Sequence, residues 1–91
     1  MRWAAHLDTN DDLGKAVRAC VDSVEATLDG DAPNLVLSFV TSGHRSVWDA
    51  LPGLLTDAFP DAVRLGCSGG GVLAGGREVE GRPAVVVAAA S

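Results

Sequence analysis

The side chains of this protein that could do chemistry gather in two short stretches, Thr41-Ser42-Gly43-His44 and Leu65-Gly66-Cys67-Ser68-Gly69-Gly70-Gly71. A cysteine at a strand end beside a loop-borne histidine is the raw material of a thiolate nucleophile, with His44 as the base for the Cys67 proton. No third group that would orient the histidine is evident; Asp49 and Glu78 serve only if the fold brings them close. Backbone amides of consecutive glycines can instead form an anion-binding nest, which suits a carboxylate. The plain reading is that these glycines supply positive φ and close strand approach, and that the cysteine is a packed thiol. Residue types alone leave these alternatives open.

Other chemistries lack their parts. A phosphate-binding loop of the Gly-Lys-Ser/Thr kind needs a lysine, and none follows Lys15. A dinucleotide fingerprint must open a helix, whereas Val72-Leu73-Ala74 runs straight into Gly75-Gly76. Two histidines and two cysteines in four different elements make no metal-ligand spacing, so neither metal nor cofactor is expected, and Cys20 and Cys67 read as free thiols. A net charge of −5 repels nucleic acid, and Arg18, Arg45, Arg64, Arg77 and Arg82 are scattered and form no basic stripe. The start MRWAAHLDTNDD meets acidic residues before any signal-peptide apolar region, and the run Ala84 to Ala90 is far short of the ~20 residues that cross a bilayer. A cytoplasmic protein with no membrane partner is the expectation.

The elements that must position these residues follow from periodicity. Residues 2–8 alternate, with Trp3, Ala5 and Leu7 on one face and Ala4, His6 and Asp8 on the other, as in a half-buried strand. Thr9 or Asn10 can cap a helix with Asp11 and Asp12 in its first turn. Leu13, Ala16, Val17, Cys20, Val21, Val24 and Leu28 then recur at helical spacing up to Gly30. Asn34 to Thr41 is nearly continuous apolar chain, which suits a strand buried on both faces of a parallel sheet. A short turn over His44 to Trp48 leads to a second helix with Val47, Leu51, Leu54, Leu55, Ala58 and Phe59 on one side and Pro52 in its first turn. Ala62 to Cys67 reads as a third strand. Arg77-Glu78-Val79-Glu80, the turn Gly81-Arg82-Pro83 and the strand Ala84 to Ala90 read as a closing antiparallel hairpin.

This order predicts one α/β domain over residues 1–91: βαβαβ with a mainly parallel sheet, two helices and a C-terminal hairpin. Ligands of such sheets collect at the C-terminal strand ends, so both stretches would open onto one crevice if their strands are neighbours. Trp48 stands where it could wall that crevice.

The run Leu65 to Leu73, followed by Gly75-Gly76-Arg77-Glu78-Val79-Glu80 and preceded by Asn34 to Ser42 and His44, resembles the N-terminal part of FIST domains. These are bacterial sensory domains of intracellular signal transduction proposed to bind small ligands such as amino acids. The resemblance implies a non-catalytic, small-molecule-binding sensory module with Ser42, His44, Cys67, Ser68, Gly69, Gly70 and Gly71 at the ligand crevice. FIST chains run longer, so the resemblance also implies a homo-oligomer or a C-terminal FIST portion that completes the domain. A thiol enzyme using Cys67 and His44, or a self-assembling structural module, is the alternative.

Overall fold

The computed structural model describes residues 1–91. Six strands and two α-helices follow one another as β1 (Trp3–Asp8), α1 (Leu13–Leu28), β2 (Leu35–Thr41), a 3-10 helix (Ser42–Ala50), α2 (Leu51–Ala58), β3 (Val63–Gly69), β4 (Gly71–Ala74), β5 (Arg77–Glu80) and β6 (Val85–Ala90). No helix is long and apolar enough to cross a membrane.

The expected mainly parallel α/β sheet is not what forms. The main sheet has the order β1-β6-β2-β3, and only β2 and β3 pair in parallel. Strand β6 inserts antiparallel between β1 and β2 and splits the first β-α-β unit, so the fold is a mixed, mainly antiparallel α+β arrangement. The reason lies in β6 itself. Val85, Val86, Val87, Ala89 and Ala90 are all buried, and only a central strand buries both faces while both its edges are hydrogen-bonded. The pairing runs to the chain ends, where Arg2 and Ser91 exchange backbone hydrogen bonds of 3.1 and 2.9 Å.

The hairpin also forms elsewhere than expected. Strand β5 pairs with β4, not with β6, through Gly75 and Gly76 at φ 58° and 79°. Two successive positive φ values define the type I′ turn, whose twist matches that of the flanking strands. The hairpin folds over one end of the sheet and buries Val72 and Val79 against Leu7, Ala84 and Val86. Arg77 pins it by donating to the Leu7 carbonyl at 3.0 Å.

Both helices cover the other face. The apolar stripe of α1 is buried at each of its seven expected positions, packed with Val36, Val40, Val85, Val87 and Ala89 of the sheet. Its cap is Asp12, whose Oδ1 accepts from the Lys15 amide at 2.9 Å, and not Thr9 or Asn10. Asp8 and Asn10 accept from the amides of Asn10 and Asp12 at 3.1 and 2.8 Å, and these successive turns delay the helix by two residues. The Leu51, Leu55 and Phe59 side of α2 joins the same core, while Val47 stays outside it. An arginine holds the end of α1 and another the turn that follows α2. Arg2 donates to the Thr27 and Leu28 carbonyls at 3.0 and 3.1 Å, and Arg64 donates to those of Phe59 and Ala62 at 2.8 Å each.

Thr41 ties the end of β2 to its surroundings. Its buried hydroxyl donates to the Arg82 carbonyl at 2.8 Å and accepts from the Ala84 amide at 2.9 Å, and its own carbonyl accepts from Trp48 Nε1 at 2.9 Å. The 3-10 helix and the entry to β6 are thus fastened to one residue. Replacement Thr41→Val keeps the shape but strands a buried amide and a carbonyl, and it is expected to lower the unfolding free energy by about 1–3 kcal/mol. Urea unfolding followed by far-UV circular dichroism measures this, and an unchanged midpoint would show that the Thr41 hydroxyl fastens nothing.

Candidate functional site

Strands β2 and β3 are neighbours, as a shared crevice requires, with Thr41 opposite Gly69. Their loops nonetheless part. The chain leaves β2 into the 3-10 helix, whose Trp48 packs on the helix-side core, whereas β3 runs through Gly70 into the hairpin on the opposite face. The two stretches therefore line different surroundings.

On the helix side, β3 presents Arg64, Gly66 and Ser68 towards α2. Gly66 lies beside Ser38 so closely that a Cβ there would run into the Ser38 hydroxyl and carbonyl, so glycine is required for this approach of the two strands. With no bulky side chain on this stretch of β3, a cleft of about 420 Å3 opens between it and α2. Trp48, Leu51 and Leu55 form its apolar wall, and Ser38 and Ser68 bring hydroxyls. Its one charged lining residue is Arg64, and no carboxylate shares the lining. The hydrogen bonds of Arg64 to the end of α2 all use Nη1, which leaves the other guanidinium nitrogens uncommitted. This arrangement can receive a small molecule with an apolar body and an anionic or hydrogen-bonding end.

On the opposite face a second recess of about 340 Å3 lies at the foot of the hairpin, lined by Phe39, Cys67, Gly69, Gly71 and Leu73 among others. Cys67 and Ser68 line both cavities, Gly69 and Gly71 only the second, and Gly70 neither. Ser42 is exposed at the start of the 3-10 helix and lines neither cavity. His44 is only 2% exposed, its Nε2 has no hydrogen-bond partner, and it too lines neither. The side chain expected to serve as base is thus folded inward, outside the cavities that the exposed Cys67 borders. No group of three or more His, Cys, Asp or Glu side chains is placed to hold a metal ion.

Trp48, which the sequence offered first as a packing residue and second as the wall of a pocket, packs on the core and lines the cleft between β3 and α2. Sequence reasoning missed Ser38, Arg64 and the α2 residues. The one local signal for Arg64 was a basic residue at the start of an apolar strand, five positions after Phe59 and so close enough to reach back to the turn that follows α2.

Cys20 is the other thiol, buried in the stripe of α1, with its Sγ 3.5 Å from the His6 carbonyl and 3.6 Å from that of Val85. Burial, and secondarily the charge of Asp8, push its pKa from 9.0 up to about 12, against backbone hydrogen bonds at Val87 and Asp8 that lower it. The folded state therefore holds a proton that the unfolded chain releases near pH 9, so the stabilisation is complete below that pH and is lost as the pH rises towards 12. Thermal unfolding should fall off more steeply between pH 9 and 12 in the native protein than in a Cys20→Ala variant. Parallel slopes would show that the thiol does not resist ionisation. The chain has no tyrosine, which keeps this alkaline range free of phenol titration.

No family model matches the chain, and no curated protein or solved structure matches it.

Proposed function

We propose that the chain is a small-molecule-binding module, without catalytic activity of its own, that takes an amino acid or small carboxylate in the cleft between β3 and α2. The observation that carries this reading is the lining of the cleft. In a chain of net charge −5, the cleft is bordered by one guanidinium and no carboxylate, over an apolar floor, with the hydroxyls of Ser38, Thr56 and Ser68 in its lining. Its volume of about 420 Å3 lies in the range of sites that enclose small ligands. An anionic end would meet Arg64 and the hydroxyls of Ser38 and Ser68, and an aliphatic or aromatic body would lie along Trp48, Leu51 and Leu55.

A sensory role in signal transduction, which the FIST-like motifs imply, follows if occupancy is communicated. The route offered by the fold is short: Trp48 lines the cleft and donates to Thr41, and Thr41 holds the entry to β6. The thiol-enzyme alternative gains no support, because His44 and Cys67 border no common cavity.

Thermal shift and calorimetric titration against a panel of amino acids and small carboxylates test the reading. A ligand at ten times its Kd stabilises the fold by about 1.4 kcal/mol, several degrees of melting temperature for a domain of this size. Ser68 is exposed, so Ser68→Leu should fill the cleft without unfolding the chain and should abolish the shift. A panel without any stabilising member, or a shift that survives Ser68→Leu, would refute the assignment.

A further inference from the structure

The two faces of the main sheet are treated unequally. The helix side is covered by α1 and α2 over β1, β6 and β2, with the cleft beside β3 as its opening, but the hairpin reaches only one end of the other side. Beyond it, Trp3 is 54% exposed, Phe39 37%, Val63 62% and Leu65 59%, and Leu73 projects from the hairpin at 74%. Alternation along the strands places Trp3, Ala5 and Leu7 of β1, Val86, Ala88 and Ala90 of β6, Leu35, Leu37 and Phe39 of β2, and Val63, Leu65 and Cys67 of β3 on this side. Not one of these residues carries a fixed charge. The acidic residues nearest the patch are Glu78 and Glu80, which share the outer face of the hairpin with Leu73 at its margin.

We propose that this open face is the contact through which two copies of the chain associate, sheet against sheet. The area argues for it. From the exposures of the five large residues, with smaller shares from Ala5, Leu35, Leu37, Ala88 and Cys67, roughly 800 Å2 of surface is available per copy, which is the contribution of each partner in a standard specific interface. It exceeds the few hundred Å2 of contiguous apolar surface that monomers ordinarily expose. The charge argues for a second copy in particular. Two acidic chains repel one another wherever charged surfaces meet, and this face is where they can meet without that cost. A two-fold axis sets the face against itself, and stacked sheets about 10 Å apart interdigitate side chains of the size of Leu37, Val63 and Leu65. The hairpin stands as a step at one end, and the 340 Å3 recess at its foot, between Phe39 and Leu73, is open to a side chain of the other copy.

Sedimentation equilibrium over a wide concentration range, beside a Val63→Lys/Leu65→Lys variant, tests the proposal. Both positions are more than half exposed in the single chain, so the variant should keep the native circular dichroism spectrum. The native protein is expected to form dimers, and the two lysines to weaken them about 100-fold, since each copy would then bury like charges. Alkylation of the exposed Cys67 should also slow several-fold on concentrating the native protein, and not on concentrating the variant. A native protein monomeric at millimolar concentration overturns the proposal. So does a dimer indifferent to the lysines, which would use another surface such as the β3 edge, and so does a monomer that floats with phosphatidylcholine vesicles, which would assign the face to lipid.

Discussion

The burial demand of β6 governs this fold. A strand reading Val-Val-Val-Ala-Ala-Ala has nothing to offer water on either side, and its backbone still needs partners on both edges. The position between β1 and β2 meets both conditions at once. The consequences spread outward from there: β1 is displaced from β2, the first crossover helix must span the inserted strand, and the small side chains of β6 let α1 settle close to the sheet. Cys20 shows how close, since its sulfur lies within 3.6 Å of carbonyls of two different strands.

The same insertion decides where the molecule is open. With β6 pairing between β1 and β2 and the hairpin forming its own sheet, nothing pairs beside β3, and its run of Gly66, Cys67, Ser68 and Gly69 is uncovered on both sides. Helix α2, eight residues long, meets the sheet through Leu51 and Leu55 and leaves the cleft beside Gly66 and Ser68. The glycine-rich stretch thus has two structural uses within one strand: close approach at Gly66 and Ser38, and departure towards the hairpin after Gly69.

Much of this was legible locally, and what was illegible is non-local. The stripe of α1, the strand bounds of β2 and Pro52 in the first turn of α2 follow from spacing within one segment, where period and chemistry act together. Strand order has no such signature. Apolar runs such as Leu35 to Thr41 and Val85 to Ala90 look alike whether their neighbours run parallel or antiparallel, so the order of elements suggested a parallel sheet where an inserted strand forms. The hairpin turn expected at Gly81-Arg82-Pro83 forms instead at Gly75-Gly76, because Gly71 to Ala74, short and glycine-led, carries little strand signal of its own. The cleft was half visible. Ser68 and Trp48 were singled out, whereas Arg64 and Ser38 reach it from a helix cap and a strand interior, roles that a linear reading assigns to packing. The burial of His44 is illegible for the converse reason: a histidine in a Ser-Gly-His-Arg segment reads as loop-borne, and the 3-10 winding turns it inward.

The reciprocal hydrogen bonds between Arg2 and Ser91 make the path of the chain almost a closed ring. In such a ring the order in which the elements are translated is separable from the order in which they pack. A few residues bridging positions 1 and 91, with a new opening cut at Gly75-Gly76, would leave every strand pair of the main sheet intact. By the same geometry the whole fold can be spliced into a surface turn of a host protein, entering and leaving at one point, so that strain in β1 and β6 would be felt directly by the host.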